Sequence, residues 1–300
     1  MNSNRMAPPV SKDFGHLFEQ VRRAATAKGR AEAGVFAAEG QRLLERALRA
    51  GWTPRALLLG QSAAREPELA RLLECWPALE HAARRVPDAP LLELAEGRRA
   101  GLVTALFDLP ESLTLDVLLA ERPPPAVFLV VIDVAEPGNV GALIRTALAC
   151  NAAGVVCVGA TDPFHPKAVR TSLGSLFKLP LARTEPAQLL GRLRAAGVHS
   201  LAAVAREGEA LQHAAWPHAS IAVLVGNESR GLDAHWREGA DGRVSIDLCR
   251  AADSFCVNAA AAICLYEVQR RLSPGADATA RQLPGAPSSA TGSGEPKIVA

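Results

Sequence analysis

The sequence predicts an α/β protein in two parts, a small N-terminal α/β domain followed by a mostly parallel α/β domain. Three observations carry this reading. The chain has 300 residues, twice the length of an ordinary domain of about 150 residues. Its composition, 49% hydrophobic against 21% charged, suffices to bury a core in each part. From residue 126 onward, short apolar runs alternate with amphipathic stretches, the rhythm that builds an open parallel sheet with its ligand site at the carboxyl ends of the strands.

In chain order, residues 12–30 read as a basic helical arm, followed by GVFAAEG. QRLLERALRAG then has helical apolar spacing that stops at Gly51. ALLLG (56–60) is a short buried strand, ELARLLECW (68–76) returns to helical periodicity, and residues 91–107 read as a short helix, a turn and a strand. ERPPPA at 121–126 is an internal proline cluster, stiff and extended. The division is set near it, giving expected units of 1–112 and 113–273.

Beyond the prolines, residues 126–134 form the continuous apolar run of a central parallel strand, and 139–151 an amphipathic helix. Strands are expected at 154–159, 198–204, 220–226 and 242–248, with helices at 186–197 and 254–272. Residues 274–300, rich in Ala, Gly, Pro and Ser, are expected to be a disordered tail.

Several classes are disfavoured. No run reaches the roughly 18 apolar residues of a membrane span, and the start of the sequence lacks a secretory h-region, so the cytoplasm is the expected compartment. Six cysteines form no CxxC pair and most sit in apolar runs, which predicts buried thiols and no metal site. The net charge of +2 hides an uneven distribution: residues 1–100 hold 16 Lys or Arg against 12 Asp or Glu, and residues 101–270 hold 14 against 17. Arg5, Lys12, Arg22, Arg23, Lys28 and Arg30, against Asp13 and Glu19, account for the whole N-terminal excess. A polyanion therefore meets this end first.

Three loops at strand ends carry the chemistry. The first, Glu136-Pro137-Gly138-Asn139-Val140-Gly141, opens a helix bearing Arg145, with Asn139 placed as its N-cap. GxGxxG and GxxxxGK[ST] are both absent, which disfavours a dinucleotide oxidoreductase. The second, Gly226-Asn227-Glu228-Ser229-Arg230-Gly231-Leu232, brackets polar residues with glycines that let a backbone approach a ligand. The third runs from Ile246-Asp247-Leu248 to Asp253-Ser254-Phe255-Cys256-Val257-Asn258, with Asp253 or Ser254 as N-cap of a small-residue helix.

In this order the loops resemble the SpoU/TrmH branch of the SPOUT RNA methyltransferases. IDVAEPGNVGALIRTALACNAAGVV is similar to the family's first motif, LVGNESRGL to its second, and SIDL through DSFCVNAAAAICLYEVQRR to its third. PFHPKAVRTSLGSLFKLPL (163–181) resembles the connecting segment of ribosomal-RNA members, and GVFAAEGQRLLERALRAG their accessory RNA-binding domain. The third motif departs from the pattern: Asp247 stands where proline is usual, Arg250 where glycine is usual, and Cys256 where asparagine is usual.

The resemblance implies a trefoil-knotted catalytic domain, a homodimer, and S-adenosylmethionine held by Leu224, Gly226, Ile246, Leu248 and Cys256. Arg145, Asn139, Glu228 and Ser254 match catalytic or substrate-binding positions, Arg145 approaching the partner's cofactor. Arg22, Arg23, Lys28, Arg30, Lys167 and Arg170 are expected to bind RNA phosphates, and His165 to be structural or RNA-facing. The activity implied is methylation of a ribose 2′-hydroxyl, with ribosomal RNA favoured over transfer RNA by the accessory domain and the connecting segment. The rival of a different class is a catalytically degenerate RNA-binding or ribosome-assembly factor, supported by Cys256, Asp247 and Arg250.

Overall fold

The computed structural model describes residues 14–111, 113–122, 124–216 and 220–272. Lys12 and the expected tail at 274–300 lie outside them. The basic arm is broken into α1 (Gly15–Ala24) and α2 (Ala27–Ala33). Thr26 is extended, and its hydroxyl accepts the Gly29 N–H at 3.1 Å, an N-cap that starts a second helix. Gly34, at φ 63°, ends that helix in the left-handed conformation. Next come β1 (Val35–Glu39), α3 (Gln41–Arg49), β2 (Ala56–Gly60), α4 (Pro67–Cys75), α5 (Leu79–Ala82), β3 (Ala83–Val86), α6 (Asp88–Leu94) and β4 (Val103–Asp108). The four strands form one sheet in the order β1-β4-β2-β3, antiparallel except between β2 and β3.

The second part runs β5 (Leu113–Thr114), α7 (Leu115–Ala120), β6 (Val127–Ile132), α8 (Pro137–Ala149), β7 (Gly154–Val158), α9 (Pro166–Thr171), β8 (Leu181–Thr184), α10 (Pro186–Ala195), β9 (Val198–Val204), β10 (Glu209–Ala210), β11 (Ser220–Val225), α11 (Ala234–Gly239), β12 (Gly242–Ser245) and α12 (Val257–Leu272). Its sheet has the order β10-β12-β9-β11-β6-β7-β8-β5, and every pairing is parallel. Parallel strands end on the same side. The loops after the neighbouring strands β6, β11, β9 and β12 therefore gather at one edge.

The apolar runs of the sequence are strands buried on both faces, and the two-residue period sorts them. Val127, Leu129 and Val131 join one core with Val223, Val225 and the inner faces of α8 and α12. Phe128, Val130 and Ile132 join another with Leu224 and residues of α7, α10 and α11.

The first core does not stop at the parallel sheet. It continues through the 164–179 segment into the N-terminal sheet, where Phe36, Trp52 and Phe107 meet Phe164 and Phe177. Phe36 lies 5.0 Å from Phe164, Phe107 lies 5.3 Å from Phe177, and the Trp52 indole donates to the Phe177 carbonyl at 2.9 Å. Truncating a buried aromatic ring costs roughly 3–5 kcal/mol. Phe36→Ala is therefore expected to lower the urea midpoint sharply. A midpoint within error of the parent's would show that the cluster does not hold the two parts together.

Arg30, expected among the RNA contacts, is part of the same junction. Its side chain is 3% exposed, donates to the Ala24 carbonyl at 2.7 Å and pairs with Asp162. A guanidinium buried this way stays where its partners are, because breaking a buried pair strands a charge.

Candidate functional site

At the gathered strand ends lies a cleft of about 480 Å³. It is lined by residues 203–207 at the end of β9, by 225–232 at the end of β11, and by Val244, Ile246, Leu248, Ser254, Phe255 and Val257. The second loop is closed by its own asparagine. The Asn227 side chain donates to the Asp133 carbonyl at 3.0 Å and accepts the N–H groups of Ser229 and Arg230 at 3.0 and 3.1 Å. Gly231, at φ 66°, returns its N–H to the Asn227 carbonyl at 2.8 Å. The turn is so tight that a Cβ on Gly226 would lie 2.5 Å from the Gly231 carbonyl group. Glycine is needed there for close backbone approach.

The first loop is organised differently from the expectation. Glu136, not Asn139, is the N-cap of α8, its carboxylate accepting the Gly138 N–H at 3.1 Å. With Pro137 at the first helical position, Asn139 falls inside the first turn and its side chain is free to reach across. It donates to Glu228 Oε1 at 2.9 Å. Glu228 Oε1 also accepts the Glu136 N–H at 3.3 Å. Burial alone would raise the Glu228 carboxyl, but Asn139 and the backbone N–H groups of residues 228, 136 and 135 outweigh it and hold the group below its ordinary value. Glu228 is therefore an acceptor only at neutral pH.

That depression has a sign. A carboxyl with a lowered folded-state pKa stabilises the fold above its unfolded pKa, near 4.3 for glutamate, and the contribution is lost as pH falls through the folded value. Asp241 acts in the same direction: the N–H and hydroxyl of Ser200, with Arg194, overcome desolvation and bring it to about 2. Glu228→Gln is expected to flatten part of the acid limb of the stability–pH curve between pH 5 and pH 3. An unchanged limb would mean that the Asn139 contact does not persist in solution.

Among the expected site residues, the structure brings Asn139 and Glu228 into contact and sets Gly226, Ile246, Leu248 and Ser254 along the cleft. Leu224 does not line it, because even spacing from Phe128 and Val130 across the ladder turns its side chain into the opposite core. Cys256 is exposed outside the lining. Its carbonyl accepts the Ala260 N–H at 3.0 Å, so it stands at the head of α12, and neither Asp253 nor Ser254 caps that helix. Arg145 is exposed on α8 and outside the cleft. Arg22, Arg23 and Lys28 are exposed, each near an acidic neighbour one helical turn away.

Lys167 pairs with Glu136 at 2.6 Å and Arg170 with Glu39 at 3.6 Å, so the connecting segment leans on both the first loop and the N-terminal sheet. Thr171 Oγ1 completes the brace by donating to the Gly138 carbonyl at 3.1 Å. His165 caps α9 by accepting the Lys167 N–H at 3.2 Å. Burial first, and the neighbouring Arg30 second, push its pKa down, against the pull of Asp162 and Glu136.

Arg206 was missed from the sequence, and Asn227 and Phe255 stood in the motif loops without a role, although the lock of Asn227 on the second loop has the Asn-in-a-turn signal that could have found it; Asn258 replaces no amide at 256, two residues along a helix being turned by about 200°. Asn258 donates to Asn139 Oδ1 at 2.9 Å. The buried thiols Cys157 and Cys264 are pushed up to about 12 by desolvation and are chemically quiet. Among the described residues no group of three or more His, Cys, Asp or Glu is placed to hold a metal ion, and no helix is long and apolar enough to cross a membrane.

A parallel sheet with three loops folded into one cleft at its strand ends defines an open α/β domain with a ligand site there, and comparison with known proteins gives the family. Residues 126–266 match the SpoU rRNA Methylase family, and residues 19–96 match the MRM3-like substrate binding domain. The chain is 36% identical over 262 residues to the 23S rRNA (uridine(2479)-2′-O)-methyltransferase of Streptomyces viridochromogenes, covering 83% of this chain and 88% of that protein. It is 29% identical over 246 residues to the 23S rRNA (guanosine(2553)-2′-O)-methyltransferase of Bacillus subtilis, covering 81% and 92%. Among solved structures, the AdoMet-bound rRNA methyltransferase from Sinorhizobium meliloti superposes with a TM-score of 0.75 at 26% identity, covering 88% of this chain and 98% of that one. The SpoU methyltransferase AviRb from Streptomyces viridochromogenes in complex with AdoMet does so with 0.74 at 28%, covering 85% and 97%. This chain belongs to the SpoU rRNA methylase family.

Proposed function

We propose that the protein transfers a methyl group from S-adenosylmethionine to a ribose 2′-hydroxyl of ribosomal RNA. The observation that carries this is the cleft itself, where Gly226, Ile246, Leu248 and Ser254 converge beside the Asn139–Glu228 pair. The cradle suits the cofactor: apolar walls from Val225, Leu232, Ile246 and Leu248, and a backbone that a Cβ at position 226 would obstruct. When bound, S-adenosylmethionine supplies an electrophilic methyl carbon on a positively charged sulfur.

With the cofactor held by Gly226, Ile246 and Leu248, methylation would require the ribose oxygen in line with the methyl carbon and the sulfur it would leave, and the hydroxyl proton would pass to a substrate phosphate oxygen or to water. The chain's task is to hold oxygen, carbon and sulfur in line and to stabilise the charge growing on oxygen. Arg145 is assigned that stabilisation. An arginine with pKa above about 12 is a poor base, so its role is electrostatic or exercised through a substrate phosphate. Asn139, Glu228 and Ser254 set the geometry around it.

The reading includes a homodimer, residues 1–112 as the RNA-binding accessory part, a trefoil knot through the three motif loops of residues 113–273, and work in the cytoplasm. Arg145 lies outside its own chain's cleft, as expected if it serves a partner's. An apolar hollow beside α12, lined by Cys150, Leu211, Ala262, Ile263 and Tyr266, leaves Tyr266 66% exposed, the kind of patch that a second subunit covers.

Calorimetry with S-adenosylmethionine, followed by methyl-transfer assays on ribosomal RNA from a strain lacking the protein, tests the activity. Binding and a mapped 2′-O-methyl group are expected. Absence of cofactor heat would hand the chain to the RNA-binding alternative. Removal of residues 1–105 is expected to weaken RNA affinity and its salt dependence, since phosphate contacts release counterions. Sedimentation of a monomer at micromolar concentration would remove the dimer.

A further inference from the structure

We infer that Asn258 is a positioning residue of the methyl-transfer site, acting through Asn139 on Glu228. The inference rests on the activity proposed above. Two residues apart on a helix, side chains point about 200° apart, so Asn258 cannot occupy the place of an amide at 256. It does something else: from the first turn of α12 it reaches the first turn of α8 and donates its Nδ2 to Asn139 Oδ1 at 2.9 Å. Asn139 Nδ2 in turn donates to Glu228 Oε1 at 2.9 Å. Asn258 is not among the residues that line the cleft, whereas its neighbours Val257 and Ala260 are.

The chain of amides has one polarity. An ionised carboxylate accepts hydrogen bonds and donates none. Glu228 therefore forces Asn139 to turn its NH2 inward and its oxygen toward α12. That oxygen in turn requires a donor, which fixes Asn258 with its own NH2 forward and leaves Asn258 Oδ1 buried without a hydrogen-bond partner among the described residues. Asn258 thus completes a three-residue relay running from the third motif through the first to the second, one that aims the Asn139 donor and keeps Glu228 charged.

Other charges surround Glu228. Glu136, with Lys167 and His165 behind it, faces it from the α8–α9 side. Arg206, Glu207, Arg230 and Arg237 share the cleft wall. These groups set the background titration, so the test compares variants rather than reading one profile alone.

The experiment measures single-turnover methyl transfer from S-adenosylmethionine to ribosomal RNA from about pH 9 down to about pH 3.5, a range that includes the lowered Glu228 titration, together with cofactor affinity by calorimetry, for the full-length parent, Asn258→Ala and Asn258→Asp. Asn258→Ala is expected to slow transfer about tenfold at pH 7.5, to leave cofactor affinity within twofold, and to move the acid limb of the profile upward as Glu228 loses its aligned donor. Asn258→Asp presents an acceptor to an acceptor. It is expected to be slower still at pH 7.5 and to regain rate on acidification, where the parent loses it. A residue that only packs the helix would lower the rate equally in both variants at every pH. That result, or an unchanged rate and limb in Asn258→Ala, overturns the inference. If the parent itself transfers no methyl group, the proposed activity falls. The relay is then judged by the Glu228 titration in carbon-detected NMR of the same proteins: an upward shift in Asn258→Ala supports it and no shift refutes it.

Discussion

Arg145→Ala is expected to lower the single-turnover rate of methyl transfer by 10² to 10³, about 3–4 kcal/mol of transition-state stabilisation, the cost typical of removing one positioned charge-stabilising donor. Cofactor affinity should hold, because the guanidinium is assigned to the charge growing on the ribose oxygen and the cofactor cradle is formed by other residues. Its surroundings argue for the size of the effect. α8 buries Val140, Gly141, Leu143, Ile144 and Ala147, and Arg145 stands exposed among these apolar positions with no hydrogen-bond or ion-pair partner among the described residues. A guanidinium left unpaired on a helix that is otherwise pinned by its neighbours is available to a substrate. The helix is held rigid for it: a Cβ on Gly141 would lie 2.1 Å from Thr171 Oγ1 and 2.2 Å from the Ala168 carbonyl oxygen, so α8 and α9 touch backbone to backbone. Arg145→Lys should recover only part of the rate, since a point charge lacks the planar fork that meets ribose or phosphate oxygens in two places. Transfer by Arg145→Ala at the parent rate would remove Arg145 from the chemistry.

How much of this was legible in the residues depended on whether the signal was periodic. The central strands β6, β7 and β11 were readable as uninterrupted apolar runs because both faces of a parallel sheet are covered, and α12 because its four consecutive alanines open a long stretch of helix-forming residues with helical apolar spacing. The strands β3 (ARRV) and β8 (LART) escaped. Each has four residues, three of them exposed or partly so, and no pattern forms in that length. Within the basic arm Arg30 read like Arg22 and Arg23, and its burial was set by Asp162, 132 positions away, a partner that no local rule finds. Leu224 was assigned to the cleft by its place in a motif, yet the alternation of β11 gives it to the other face. The relay from Asn258 to Glu228 joins three segments whose contacts arise only when β6 and β11 pair and α12 crosses α8, so its members were visible singly and its wiring was not.

Gly226→Ala should disable the cofactor cradle. The new methyl group would lie 2.5 Å from the carbonyl carbon and oxygen of Gly231 and 2.6 Å from the Leu232 nitrogen. All three are backbone atoms of a loop already tied down by Asn227 at both ends, and no rotamer change can relieve the contact. The loop must open, which pulls apart the Asn227 bonds to Asp133, Ser229 and Arg230. Overpacking of this kind costs roughly 1–3 kcal/mol, and as the strained atoms form the wall of the cleft, most of that cost falls on binding. S-adenosylmethionine affinity is expected to fall by about 5- to 150-fold by calorimetry, with a smaller decrease in the urea midpoint. Gly191→Ala is the matched control. In α10 a Cβ there meets nothing within 4 Å, and exchanging glycine for alanine inside a helix should stabilise by about 0.5–1 kcal/mol without touching the cofactor. Equal cofactor affinity in Gly226→Ala and the parent would mean that the second loop is not the cofactor wall, and the cleft would lose its assignment with it.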